Sequence, residues 1–480
     1  MSTTDSISPF QQVDEKTAEI FERQKKHRWT VTNSTAGERI AKLERLRNWI
    51  TTHRQDIRDA LRRDLRKPHA ETDVSEYWVV LNEIRHATRR LRRWMKPHPV
   101  RRVRSMITTR AWVQYVPKGV VLILSPWNFP FNLSLSPLVS AVAAGNCVVL
   151  KPSEFTPRVA ALLEAMISEL FPVEEAAVIQ GGSETAAGLV RLPFDHILFI
   201  GSTEKGRAVM RAAAGNLTPV TLELGGKSPA VVDQSADIAD AARKIFFGKV
   251  YNTGQSCVAV DYVLVHESIR DELLEALRRE YHLFYGKDAS SCRESPDYGR
   301  IVNERHFERL RTLLADSIDQ GANVFIGGNV DEEELFIEPT ILVDVAPDSP
   351  LMTGEIFGPL LPVLTFASLD QAIETITRAA VPLNLYVFSR DRRAVRQFLA
   401  RTDSGSVCIN ETMLQFLHLN LPFGGKNESG FGSMHGFHGF KTFSSERAFL
   451  KHHRFSPLKL LHPPYKGRTQ RLVDLFVKWF

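Results

Sequence analysis

At Gly119 the hydrophobic pattern of the chain changes period, and that change limits the folds open to it. Before it, apolar residues recur at helical spacing over residues 16–27, 36–52, 55–65 and 74–94,. After it comes Val120-Val121-Leu122-Ile123-Leu124, an unbroken apolar run suited to a strand buried on both faces,. Comparable strands fit residues 147–151, 176–180, 196–200 and 220–224, with helical spacing between them at 136–144, 158–170, 184–192 and 204–214. Strands that alternate with helices in this way build an α/β, Rossmann-like parallel sheet, doubly wound, with helices on both faces.

A second α/β series follows. Its strands fit residues 230–232, 262–265, 323–326, 385–388 and 406–409, and its helices fit 269–281, 304–320, 369–379 and 393–400. A chain of 480 residues exceeds what one hydrophobic core usually supports, so two such units are expected,. Between the first helices and the first strand, residues 100–116 alternate polar and apolar with no obvious place in a core. They read as a small β-ribbon that bridges subunits.

Composition excludes several classes. With 43% hydrophobic and 24% charged residues the chain is ordinarily globular,. Cys147, Cys257, Cys292 and Cys408 are widely spaced, with no C-x-x-C, which argues against a disulfide framework and against a metal site,. The polar N-terminus and the lack of a long apolar run read as cytoplasmic,. Eleven Lys and Arg lie between Arg85 and Lys118 with no acid among them. Aromatic interleaving there is thin, so the run reads as a solvated face and no nucleic-acid partner is expected.

The chemistry concentrates at Tyr251-Asn252-Thr253-Gly254-Gln255-Ser256-Cys257, which follows a helix expected over 237–250. An Asn-Thr-Gly-Gln turn reads as flexible, and Gly254 would let the chain approach a substrate closely. A buried, inert cysteine is the plain alternative, since free cysteine is among the most buried residue types. Glu223 also stands out: an acid at the end of a buried strand is costly unless it is used or paired,. Gly201-Ser202-Thr203, at the opening of a helix, offers N–H groups to a phosphate, although its spacing is not G-x-G-x-x-G,. Neither Gly206-Arg207-Ala208 nor Thr221…Gly226-Lys227-Ser228 completes a Walker A loop, so an ATPase is excluded.

Six motifs stand in a fixed order: Ser125-Pro126-Trp127-Asn128-Phe129-Pro130, Lys151-Pro152-Ser153-Glu154, Gly201-Ser202, Glu223-Leu224-Gly225-Gly226 followed by the cysteine stretch, Glu355-Ile356-Phe357-Gly358-Pro359, and Leu421-Pro422-Phe423-Gly424-Gly425. Together they resemble the aldehyde dehydrogenase superfamily from about residue 15 to about residue 465. The short N-terminal part, Pro137 and Pro463-Pro464-Tyr465 look like its class 3 branch of fatty and aromatic aldehyde dehydrogenases. Ile200 and Val260 depart from the usual Thr and Pro but touch no proposed chemical role.

The resemblance implies that Cys257 is the nucleophile, that Glu223 activates water, and that Asn128 with the Cys257 N–H holds the oxyanion. It implies a nicotinamide cofactor, NAD preferred and NADP accepted, held by Ser125, Pro126, Trp127, Lys151, Ser153, Glu154, Gly201, Ser202, Leu224, Glu355 and Phe357. The expected domains are a cofactor domain at 1–98 and 118–224, with 419–440 returning to it, and a catalytic domain at 225–418. A bridging ribbon at 99–117 and 441–452 would make a homodimer, and 453–480 would be a tail helix. Phe129, Phe131, Tyr251 and Phe416 are candidates to line an apolar tunnel for the aldehyde. Leu472, Leu475, Phe476, Trp479 and Phe480 share one helical face, which suits docking over the entrance or against a partner subunit, or else a peripheral membrane contact,. An acylating enzyme that passes its thioester to coenzyme A, and a non-catalytic descendant of the fold, are the alternatives. Retention of Glu223 counts against the first, and retention of all three catalytic positions against the second.

Overall fold

A computed structural model of the protein describes residues 13–103, 106, 108–452, 462–465 and 467–479. Its first sheet has six strands, in the order Gly430–Phe431, Val220–Leu224, His196–Gly201, Val120–Leu124, Cys147–Lys151 and Ala176–Val178. The last five are parallel, and Gly430–Phe431 closes the edge antiparallel, with Gly430 opposite Glu223. From the strand Val120–Leu124 the chain winds one way through the next two strands. It then returns to the other side of Val120–Leu124 to lay down His196–Gly201 and Val220–Leu224. The topological switch point therefore falls between Val120–Leu124 and His196–Gly201, where such sheets place their ligands.

The second sheet has seven strands, in the order Asn323–Ile326, Thr340–Val343, Leu360–Phe366, Tyr262–His266, Pro229–Val232, Asn384–Phe388 and Ser406–Ile409. All pairs are parallel except the first. Thr340–Val343 and Leu360–Phe366, missing from the sequence reading, sit inside this sheet; Pro362 interrupts the second of them. A third sheet joins His98–Pro99, Thr109–Pro117 and Ser444–His452, with Trp112 stacked on Phe449 at 5.3 Å.

Several expected boundaries move. Among the described residues the ribbon expected over 100–116 is a strand over Thr109–Pro117, and His98–Pro99, before the expected start, already pairs with Val113 and Trp112. Arg101, Arg102 and Val103 are exposed. The helix expected from 136 begins at Asn132 and carries Pro137 in its interior. The helix expected from 74 begins at His69 and passes through a π-helical stretch, Asp73–Trp78, before continuing as Val79–Trp94. Of the basic run, Arg104 lies outside the described residues, as does Phe480 of the tail. That tail forms the helix Gly467–Trp479 with Leu472, Leu475 and Val477 exposed. Among the described residues no helix is long and apolar enough to cross a membrane, and no His, Cys, Asp and Glu group is placed to hold a metal ion.

Candidate active site

The helix Ile238–Val250, capped by Asp237, whose side chain accepts from the Asp240 N–H, delivers the chain to the cysteine stretch. Beyond it Asn252, Thr253 and Gly254 take φ values of 52°, 56° and 72°, three left-handed residues in succession. Two of them are not glycine, a conformation that persists only where the surroundings enforce it. The surroundings do so. The Asn252 side chain donates to the carbonyls of Gln255 at 3.0 Å and Asn128 at 2.9 Å, and its backbone N–H donates to Glu71 at 3.1 Å. Gln255 donates to the Arg300 carbonyl at 2.9 Å and accepts from the Val302 N–H at 3.0 Å. The turn is thus buried and pinned, not flexible. Gly254 also serves a different close approach from the one expected: a side chain there would strike the Gly358 carbonyl, so the glycine admits a neighbouring loop and not a substrate.

On the far side, the Cys257 and Val258 carbonyls accept from the Asn384 side chain at 3.2 Å and the Tyr386 hydroxyl at 2.6 Å. Cys257 is partly exposed, and it faces Glu223, which is 2% exposed with no hydrogen-bond partner for its Oε1. Burial carries the Glu223 carboxyl up to about 8, with the nearby Cys257 opposing the rise. Burial, then the charges of Glu223 and Glu355, push the thiol well above its ordinary value. Glu355 rests directly against Gly225, where any side chain would collide with it. Burial and then Asp261 carry its carboxyl up to about 8.

Asn128 lies at the carboxyl end of the strand Val120–Leu124 and is buried. Its carbonyl accepts from Lys67 at 3.1 Å as well as from Asn252. A cavity of about 390 Å³ runs from Cys257 to the surface. Its walls are mostly apolar, with Phe129, Tyr251, Met413 and Phe416 among them, and Val74, Phe247 and Leu414 stand exposed around it. Phe131, a candidate for this lining, is instead wholly buried in the core.

The residues expected to hold the cofactor lie along the carboxyl edge of the first sheet and on the loop before Leu360–Phe366. Ser125 follows Leu124, its N–H donating to the Lys151 carbonyl at 3.1 Å and its hydroxyl bonded to Ser134 at 2.7 Å. Pro126 and Trp127 are partly exposed, and the Trp127 ring meets Phe357 edge-on at 5.3 Å. Phe357 is itself held at φ 49°. Lys151, at the end of the next strand, pairs with the exposed Glu154 at 2.7 Å, and Ser153 accepts from the Phe155 N–H at 3.2 Å. Gly201 ends its strand, Ser202 caps the helix Thr203–Ala214, and Leu224 is buried at the end of the strand bearing Glu223.

The carboxyl edge at the switch point therefore offers helix N–H groups and an exposed carboxylate, a donor set that fits the pyrophosphate and ribose of a dinucleotide. Sequence reasoning missed the layer beneath. Lys227 donates to Asp261 at 2.5 Å and to the Gly354 carbonyl at 3.2 Å, while Asp261 accepts from the Ile356 N–H at 3.0 Å. This fixes the loop that carries Glu355 and Phe357. His306 stands 4.9 Å from Trp127, with burial lowering its pKa to about 4. Lysine next to the Gly-Gly pair was the signal for Lys227, but its reading stopped at the failed Walker pattern.

A partly exposed thiol facing a buried carboxylate, near a sheet edge whose donors fit a dinucleotide, is an arrangement that suits an oxidoreductase. The chain belongs to the aldehyde dehydrogenase family, whose sequence model matches residues 3–449, and so to the enzymes that oxidise aldehydes with NAD or NADP. It is 42% identical over 442 residues to 4,4'-diaponeurosporen-aldehyde dehydrogenase of Staphylococcus aureus, covering 91% of this chain and 94% of the relative. It is 43% identical over 412 residues to the dimeric NADP-preferring aldehyde dehydrogenase of Mus musculus, covering 86% and 89%. The substrate-bound structure of Staphylococcus aureus AldH superposes with a TM-score of 0.91 at 40% identity, covering 96% of this chain and 99% of that one.

Proposed function

We propose that this enzyme oxidises apolar aldehydes, medium- or long-chain aliphatic or aromatic, to the free acids through a thioester on Cys257. The observation that carries the reading is the largely apolar cavity of about 390 Å³ that ends on a thiol backed by Glu223.

Burial keeps the thiol protonated at rest, so its proton must leave as sulfur adds to the carbonyl carbon. Glu223 is the base that faces it. The oxyanion of the thiohemiacetal is held by the Asn128 amide and the Cys257 N–H, a contact worth about 3–4 kcal/mol per donor. NAD or NADP, when bound, supplies the hydride acceptor. The thioester left on Cys257 is then hydrolysed by a water that Glu223, once deprotonated, activates.

Lys151, Ser153 and Glu154 would hold the adenosine ribose, Gly201, Ser202 and Leu224 the pyrophosphate side, and Glu355 with Phe357 and Trp127 the nicotinamide side; Ser125 and Pro126 shape the floor. An exposed carboxylate at Glu154 favours NAD over a 2′-phosphate, while its pairing with Lys151 leaves NADP accepted,. The first two sheets correspond in this reading to a cofactor unit and a catalytic unit, and the third to a bridge in a homodimer. The exposed apolar residues of the helix Gly467–Trp479 fit a peripheral membrane contact, and deletion of residues 469–480 should abolish association with liposomes,.

The deciding measurement is NADH formation by absorbance across aldehydes of increasing length, beside Cys257→Ala. Rates that rise with chain length, acid product without coenzyme A, and a silent variant are expected. Equal rates in both proteins would remove Cys257 as nucleophile, and a strict need for coenzyme A would establish acyl transfer instead.

A further inference from the structure

Two charged side chains lie wholly buried beside the site, outside the chemistry above. Lys67 and Glu76 are each 0% exposed and form an ion pair at 2.5 Å. Burial of an ion pair seldom adds stability over apolar packing of the same volume, so its contacts deserve a functional reading. The Lys67 ammonium also donates to the Asn128 carbonyl at 3.1 Å and lies 4.2 Å from the centre of the Phe129 ring. The second carboxylate oxygen of Glu76 accepts from the Asn132 N–H at 2.9 Å.

That second contact explains how the helix Asn132–Ala144 starts. Its cap residue, Phe131, has no side chain able to accept a hydrogen bond, so the first N–H groups need an acceptor from elsewhere,. Glu76 supplies one, as an anion at a helix N-terminus. It reaches there from the π-helical stretch Asp73–Trp78, where the wider turn alters which side chains face the neighbouring element,. The pair therefore grips the segment 128–132 at both ends, a carbonyl at its start and an N–H at its finish. The same Asn128 carbonyl receives the Asn252 side chain from the cysteine segment, so one oxygen ties together three parts of the site.

We propose that Lys67 and Glu76 are positioning residues that hold the Asn128 amide on the oxygen of the bound aldehyde. This rests on the oxyanion role given to Asn128 above. An amide that donates to a developing oxyanion is effective only in a narrow range of positions, and displacement by about 1 Å can cost about 10²-fold in rate. With its carbonyl held by an ammonium and an amide, the Asn128 backbone cannot rotate freely, and its side chain inherits that constraint.

The test uses the full-length protein and follows single-turnover NADH formation, KM for NAD and thermal unfolding for Asn128→Ala, Glu76→Gln and the apolar pair Lys67→Met/Glu76→Met. The apolar pair leaves no orphaned charge, so a merely structural ion pair predicts recovery of both stability and rate. Positioning predicts unfolding lowered only by the loss of the Asn132 N–H acceptor, to the same extent in the parent and Asn128→Ala backgrounds, unchanged KM for NAD, and NADH formation slowed about 10²-fold,. It also predicts no further loss of rate when the apolar pair is added to Asn128→Ala. If the apolar pair fails to fold, Glu76→Gln carries the test, with a slower rate in the parent background and none of that loss in Asn128→Ala. Parental rates in the folded pair, or in Glu76→Gln, with a slow Asn128→Ala would overturn the positioning role alone. Parental rates in Asn128→Ala would overturn the oxyanion reading itself.

Discussion

Glu223 occupies a setting that few carboxylates tolerate: 2% exposed, one oxygen without a partner, and a thiol in front of it. Burial favours its neutral form and carries it up to about 8, which brings it into the range where a general base works at neutral to mildly alkaline pH. The sign is fixed by this shift. Below about 8 the carboxyl is protonated and cannot take a proton from water, so thioester hydrolysis should climb as pH rises through about 8. In Glu223→Gln that rise should vanish and hydrolysis should slow about 10²–10⁴-fold. Rapid-mixing absorbance gives a direct check: because Glu223 also takes the thiol proton, the first turnover of NADH should slow in Glu223→Gln along with hydrolysis, and no burst should appear. A Glu223→Gln profile that still climbs through the same pH would assign the ionisation to another group, with Glu355 the next candidate.

At the scale of elements, the cysteine segment depends on three left-handed residues and on the contact of Gly254 with Gly358. Gly254→Ala must both adopt φ near 72° and displace a backbone carbonyl, so it should destabilise the fold by about 1–3 kcal/mol or more,. Thermal unfolding reads the loss, and a variant as stable as the parent would mean that the two loops separate at little cost. The strands Val120–Leu124 and Cys147–Lys151 were legible in the sequence because a strand buried on both faces leaves a nearly continuous apolar run,. The strand Leu360–Phe366 was not legible, since Pro362 interrupts it as a local signal and only its neighbours make it central. The site divided in the same way. The residues proposed to meet substrate or cofactor lie in motifs beside strand ends, whereas Lys67, Glu76 and Asp261 make contacts distant in sequence. A local signal did exist for Glu76 and Glu83: both interrupt the apolar stripe of a long helix, where an acid requires a partner.

For the whole molecule, the outer strand of the third sheet lies largely in solvent. In the strand Ser444–His452 the residues Glu446, Arg447 and Ala448 are exposed, and Leu450 is 59% exposed. An apolar side chain so placed on an outer strand fits burial against a second copy. For the homodimer proposed above, Leu450→Glu should leave the unfolding temperature of the separated chain little changed but give a monomer in size-exclusion chromatography where the parent gives a dimer. A dimer in both would place the subunit contact elsewhere, and a monomeric parent would overturn the proposed homodimer.

Only Gly225–Ser228 separates the strand that bears Glu223 from the first strand of the second sheet. Gly225 lies against Glu355, and Gly226 packs on the backbone of Pro382 and Leu383. Neither glycine can carry a side chain without displacing a neighbour, so the joint between the two sheets is closely packed,. Packing at that joint holds Glu223, two residues before Gly225, in register with the second sheet.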